Sequence, residues 1–139
     1  MDALINKNYD ASIGAICWMQ GESDSTESAS REYYANQSFF VSCLRTDLSK
    51  YADDKGVYFI DAGIADLHFW KKYEVVNEAK RQFSEESALN MYFSTIDARL
   101  TTAYEPIENP DIAHYDSMSE LKLGHLFGDC IIKAFNQNQ

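Results

Sequence analysis

Three observations predict an α/β fold, a three-layer α/β/α arrangement around a parallel sheet. Short apolar runs alternate along the chain with longer stretches of helical spacing. The runs are rich in β-branched and aromatic residues, and polar turns close them. Read in order, the pattern is β-α-β-α-β-loop-α. Strands that alternate with helices are joined by right-handed crossovers, which build a parallel sheet covered by helices. The 139 residues suffice for one domain, residues 1–139, with a sizeable core.

Leu4 and Ile5 read as the end of a short helix, and residues 6–10 as a loop. Residues 13–19 form the organising strand. Ile13, Ala15, Ile16, Cys17 and Trp18 are nearly continuous, as in a strand buried on both faces. The run stops at Gln20-Gly21-Glu22-Ser23-Asp24, where Gly21 permits a tight turn. Open α/β sheets bind ligands at the carboxyl ends of their strands, so this turn is a candidate site as well as an ordinary solvated turn.

Hydroxyls and acids over residues 23–30 suit a helix N-terminus. Tyr33, Phe40, Leu44 and Leu48 then carry helical spacing through residues 29–52. Residues 53–56 form a turn, and residues 57–62 a second strand. Residues 63–73 are irregular. The spacing predicts a helix over 75–89, with Val76, Ala79, Phe83 and Ser87 turned inward. Residues 91–96 are the third strand. A long connection, 97–110, contains Pro106 and Pro110. Ser117 and Glu120 read as a capping box for the last helix. Its apolar face is Leu123, Phe127, Cys130, Ile131 and Ala134. Gly124 and Gly128, four apart, leave room for a close neighbour.

The formal net charge of −10 repels polyanions, so nucleic acid and anionic membrane are excluded as partners. A neutral substrate is easier to accept. No apolar run approaches the roughly 20 residues of a membrane span, and no signal peptide precedes Asp2. Cys17 and Cys130 lie in apolar stretches and, with Cys43, read as free thiols, the first two buried. That fits a reducing, cytoplasmic setting.

Two constellations carry chemistry. One is the Gln20-Gly21-Glu22 turn. The other is Asp111-x-x-His114 before the last helix. A carboxylate three residues from a histidine can orient it as a general base and stabilise the imidazolium. A surface Asp beside a surface His at a helix entrance has the same spacing. Asp66-Leu67-His68 is a second acid–His pair, but Phe69 and Trp70 favour a packed loop. His125 falls among core positions of the last helix. No histidines have metal-ligand spacing, and no cofactor is implied. Tyr33-Tyr34 and Phe39-Phe40 read as core.

Together the motifs are sharper. A strand ending in W-x-Q-G-E (Trp18, Gln20, Gly21, Glu22), two βα units, and then D-x-x-H (Asp111, His114) before a terminal helix resembles the SGNH hydrolases. The nearest branch is the sialate O-acetylesterase and acetylxylan esterase group. The resemblance spans residues 13–135 and implies a flavodoxin-like fold and the hydrolysis of carbohydrate O-acetyl esters. It implies that a serine attacks the acetyl ester, that His114 takes its proton, and that Asp111 orients His114. It makes Gln20, Gly21 and Glu22 the oxyanion and substrate-binding turn. A side-chain oxyanion donor such as Gln20 is worth roughly 3 kcal/mol. Glu22 either binds sugar hydroxyls or braces the turn.

One departure qualifies the match. The family's nucleophile lies in an N-terminal G-x-S block after the first strand, and this chain enters at what would be the third strand. It has no such block and no G-x-S-x-G elbow. Ser23 sits inside the turn and Ser117 reads as a cap. The expectation is therefore a C-terminal half-domain that lacks its first strands and is inactive alone. Its organising strand would be left with an open edge that invites a homodimer or an N-terminal partner chain. The alternative is a non-catalytic remnant or assembly partner that keeps the fold.

Overall fold

The computed structural model describes residues 1–52, 54–102 and 104–136. Asp53, Ala103 and residues 137–139 belong to the expected turn, long connection and polar tail, and lie outside the described residues. The elements are α1 (Asp2–Ile5), β1 (Ala15–Trp18), α2 (Ala29–Leu48), β2 (Tyr58–Ala62), α3 (Tyr73–Ser84), β3 (Asn90–Phe93) and α4 (Ser117–Asn136). A single 3₁₀ turn, Ser49–Tyr51, extends α2.

The three strands are parallel in the order β1-β2-β3. Ala15 pairs with Tyr58 and Trp18 with Asp61, while Phe59 pairs with Asn90. Side chains alternate between the two faces. Ile16, Trp18 and Phe59 pack with Val41, Leu44 and Phe83 of α2 and α3 on one face. Ala15, Tyr58, Ile60, Met91 and Phe93 pack with Phe127, Ile131 and Ala134 of α4 on the other. All five residues of β2 are buried, as a central strand requires.

The organising strand is not buried on both faces. Its residues are half-buried and Cys17 is exposed, because β1 is an edge and α4 centres on β2. Cys130 is likewise only half-buried, and all three cysteines are free. Partial desolvation by its neighbours still raises the Cys17 thiol above its ordinary value.

Three further expectations are corrected. Helix α3 starts at Tyr73 and ends at Ser84, ahead of the expected 89, so Ser87 lies in the turn before β3. Asp116, not Ser117, caps α4: its Oδ1 accepts the Ser119 N–H at 2.9 Å, while Thr101 Oγ1 donates to Oδ2. Asp116 is buried and tied to the preceding loop, so it wins the cap from the exposed Ser117. His125 is exposed, not core, on the flank of α4 where Gly124 and Gly128 meet nothing within 4 Å. No helix among the described residues is long and apolar enough to cross a membrane.

Candidate active site

The chain leaves β1 at Trp18 and turns at once. Gly21 takes φ +137°, a left-handed value that side chains resist, and a Cβ there would stand 2.7 Å from Val76 Cγ1. Only glycine fits both the backbone and the space. The Tyr33 hydroxyl donates to the Gln20 carbonyl at 2.9 Å. Ser25 Oγ donates to the Glu22 carbonyl at 2.6 Å. The Gln20 side-chain amide donates to Asp24 Oδ2 at 2.6 Å.

A buried polar network lies behind this turn. Lys80 of α3 is fully buried, and its ammonium donates to Asp61 Oδ1 at 2.7 Å and to the Ala62 carbonyl at 2.8 Å. Gln37 of α2 donates to Asp61 Oδ2. The Lys80 ammonium also lies 5.7 Å from the Tyr33 ring centroid. Burial pushes the Asp61 carboxyl up to about 6 and the Lys80 ammonium down. Desolvation thus works against both partners. The network ties β2, α2 and α3 beneath the tyrosine that holds Gln20.

The second constellation is built locally. Asp111 Oδ1 accepts the backbone N–H of Ala113 at 2.7 Å and of His114 at 3.2 Å. Its Oδ2 lies 2.7 Å from His114 Nδ1. The His114 bond and then these two N–H groups hold the Asp111 carboxyl down at about 2. The Asp111 hydrogen bond and charge raise the His114 imidazole above its ordinary value. With Nδ1–H committed to the carboxylate, Nε2 is left as the basic nitrogen. Both side chains are open to solvent, His114 at 83% exposure.

The turn and the loop meet at one cavity of about 370 Å³ lined by Met19, Glu22, Trp70, His114, Tyr115 and Glu120 among others. A hollow of about 140 Å³, on the Trp18 and Phe40 side, takes Gln20, Asp24, Tyr33 and Gln37. Gln20 therefore flanks the His114 cavity without lining it, while Glu22 does line it. Neither cavity is lined by a serine among the described residues.

The family described as carbohydrate esterase, sialic acid-specific acetylesterase, matches residues 2–133. The chain belongs to this family. No curated protein and no solved structure gives a match.

In this acetylesterase-family chain the remaining histidines stand apart from the cavity. His68 is exposed and meets Phe69 edge to face at 5.0 Å between ring centroids. Among the described residues no three His, Cys, Asp or Glu side chains are grouped to hold a metal. Of the doubled aromatics, Tyr33 is buried and Phe40 packs on Trp18 at 4.8 Å. Phe39 is exposed, and Tyr34 is exposed and donates to Glu86. Sequence reasoning missed Lys80, Asp61, Gln37, Trp70 and Glu120. A signal was present for two of them. Asp61 interrupts an apolar strand, and Lys80 falls four after Val76 on the inward stripe of α3.

Proposed function

We propose that this chain carries the base and the substrate-binding turn of an SGNH-type serine esterase that removes acetyl groups from carbohydrates. The observation that carries this reading is the Asp111–His114 pair at the rim of a cavity shared with Glu22. In the reaction, a serine oxygen attacks the acetyl carbonyl and His114 Nε2 takes its proton. Asp111 holds the ring by Nδ1 and stabilises the imidazolium. His114 then returns the proton to the departing sugar hydroxyl, and water releases acetate from the acyl-serine by the same route. Gln20 has two amide hydrogens. Asp24 accepts one, and the other serves the developing oxyanion once the Gln20 amide, which flanks the His114 cavity without lining it, is turned toward that cavity.

The serine, in this proposal, lies on a strand segment paired along β1, in the same polypeptide or in a second one. The Tyr58 N–H donates to the Gly14 carbonyl at 2.9 Å. Parallel ladders alternate, so the backbone groups of Ala15, Cys17 and Met19 face the open side. A strand added there ends beside Gln20. The free cysteines, two of them exposed, fit a reducing, cytoplasmic setting.

The test uses p-nitrophenyl acetate and a serine-directed fluorophosphonate. The isolated chain is expected to turn over the ester no faster than equimolar imidazole and to take no label. Supplying a G-x-S-bearing segment, fused ahead of residue 1 or co-expressed, is expected to give both. In that complex His114→Ala removes most of the turnover. Fast turnover with labelling by the isolated chain would overturn the supplied serine. The open β1 edge also supports a second reading, a non-catalytic assembly partner, which predicts a stable complex without turnover.

A further inference from the structure

The hollow on the Trp18 and Phe40 side of the turn is rich in acceptors and poor in donors. Gln37 lines it and is only 5% exposed. Its amide donates to Asp61 Oδ2, so its Oε1 is turned away from that carboxylate. A flipped amide would set two acceptors against each other. Gln37 Oε1 is buried and finds no donor among the described residues. Asp24 lines the same hollow, and the Gln20 amide engages its Oδ2, which leaves Oδ1 for a further donor. The Tyr33 hydroxyl gives its proton to the Gln20 carbonyl and lies 3.5 Å from Gln20 Oε1. Asn36 brings one amide at the exposed rim. Among the described residues no lysine or arginine lines the hollow. The Lys80 ammonium behind it is already bonded to Asp61 and to the Ala62 carbonyl. Trp18 and Phe40 close one side with their rings, centroids 4.8 Å apart. At about 140 Å³ the space exceeds what one bridging water needs.

We infer that this hollow is a socket for a guanidinium group, the side chain of an arginine on the segment that pairs along β1. The inference rests on the proposed addition of that segment. Trp18 is the last residue of β1, so the hollow lies where an added parallel strand ends. A buried acceptor without a donor is destabilising, and an incoming N–H removes that penalty. The Asp24 carboxylate adds charge pairing, and the two rings add a stacking surface. A planar fork of five N–H groups meets all three at once, whereas an ammonium offers no plane to stack. Seated there, the guanidinium competes with the Gln20 amide for Asp24. Docking thereby frees that amide to turn toward the His114 cavity.

The experiment isolates charge from shape. Methylguanidinium is titrated into the intact chain, with methylurea as a neutral probe of the same shape. Both are kept well below denaturing concentrations and at constant ionic strength. Binding is read by NMR from the Gln20 and Gln37 side-chain amides and the Trp18 indole. Methylguanidinium is expected to shift all three saturably and to bind at least about tenfold more tightly than methylurea. In Asp24→Asn, which keeps the shape of the side chain, that gap is expected to shrink to within about threefold. No saturable shift, equal binding of methylurea, or a gap that survives Asp24→Asn overturns the socket and leaves the esterase reading standing. The source of the guanidinium is tested by supplying the segment along β1. It should fill the hollow and abolish the methylguanidinium shifts, whether or not it gives turnover, so the esterase reading is judged separately. Shifts that persist unchanged overturn the docked arginine in favour of a free small molecule.

Discussion

The two halves of the candidate site are held in place by opposite means. The Gln20-Gly21-Glu22 turn stands on the core: Tyr33, Gln37, Asp61 and Lys80 are all buried beneath or behind it. The Asp111–His114 loop stands on itself, through three hydrogen bonds within four residues, with both side chains in solvent. The first half is therefore coupled to global stability, and the second is nearly free of it. An oxyanion donor must not move during the reaction, and a core anchor supplies that rigidity. A base needs orientation chiefly, which one carboxylate provides.

The contrast breaks most visibly at Lys80. Lys80→Met leaves Asp61 buried and unpaired, and should cost about 3–5 kcal/mol in urea unfolding. Asp61→Leu/Lys80→Met should recover most of that loss, since both desolvated charges are gone. A loss below about 1 kcal/mol for the single variant would show that the turn does not lean on this network.

Gly21→Ala probes the turn itself. The left-handed backbone and the approach to Val76 should cost about 2–3 kcal/mol, read by thermal unfolding. Asp116 lies where the histidine loop joins α4. Asp116→Ala removes a buried cap and should cost about 1 kcal/mol by the same measurement.

Asp111→Asn should change stability least, by no more than about 0.5 kcal/mol. Its effect appears in titration instead. The Asp111 carboxylate raises His114, so its loss should lower the His114 midpoint followed by NMR. The sign follows from linkage. A histidine raised in the folded state contributes stability below its unfolded value and loses it as pH rises through the folded value. On the proposed mechanism, turnover needs neutral His114 and should rise with pH through that midpoint. Asp111→Asn should shift this limb to lower pH while reducing the plateau, because the imidazolium loses its partner. An unmoved midpoint would mean the two side chains do not interact in solution.

Much of this was legible in the residues. The strand runs, the helical stripes and their alternation are local patterns, and local patterns survive without knowledge of neighbours. That is why β1, β2, β3, α2 and α4 fall close to their expected positions. The Asp111–His114 contact was also readable, because its partners are three residues apart and one Asx turn closes the distance. Gly21 could be read as a turn glycine from its place between a strand and polar residues.

Tertiary structure alone decided the rest. Whether Cys17 is buried depends on which strand lies at the edge of the sheet, and the apolar run carries no record of that order. The cap of α4 went to Asp116 because Thr101, fifteen residues away, fixes its carboxylate there. Gln20 and Glu22 go to opposite sides of one turn, a division made by the Asp24 and Tyr33 contacts and not by spacing. Lys80 is buried because Asp61, nineteen residues earlier, faces it across the packing of α3 on β2. Secondary structure follows from interactions within a few residues, which the order of side chains specifies directly. Burial, charge pairing and the composition of a cavity follow from which distant segments come to lie side by side, and those belong to the folded chain.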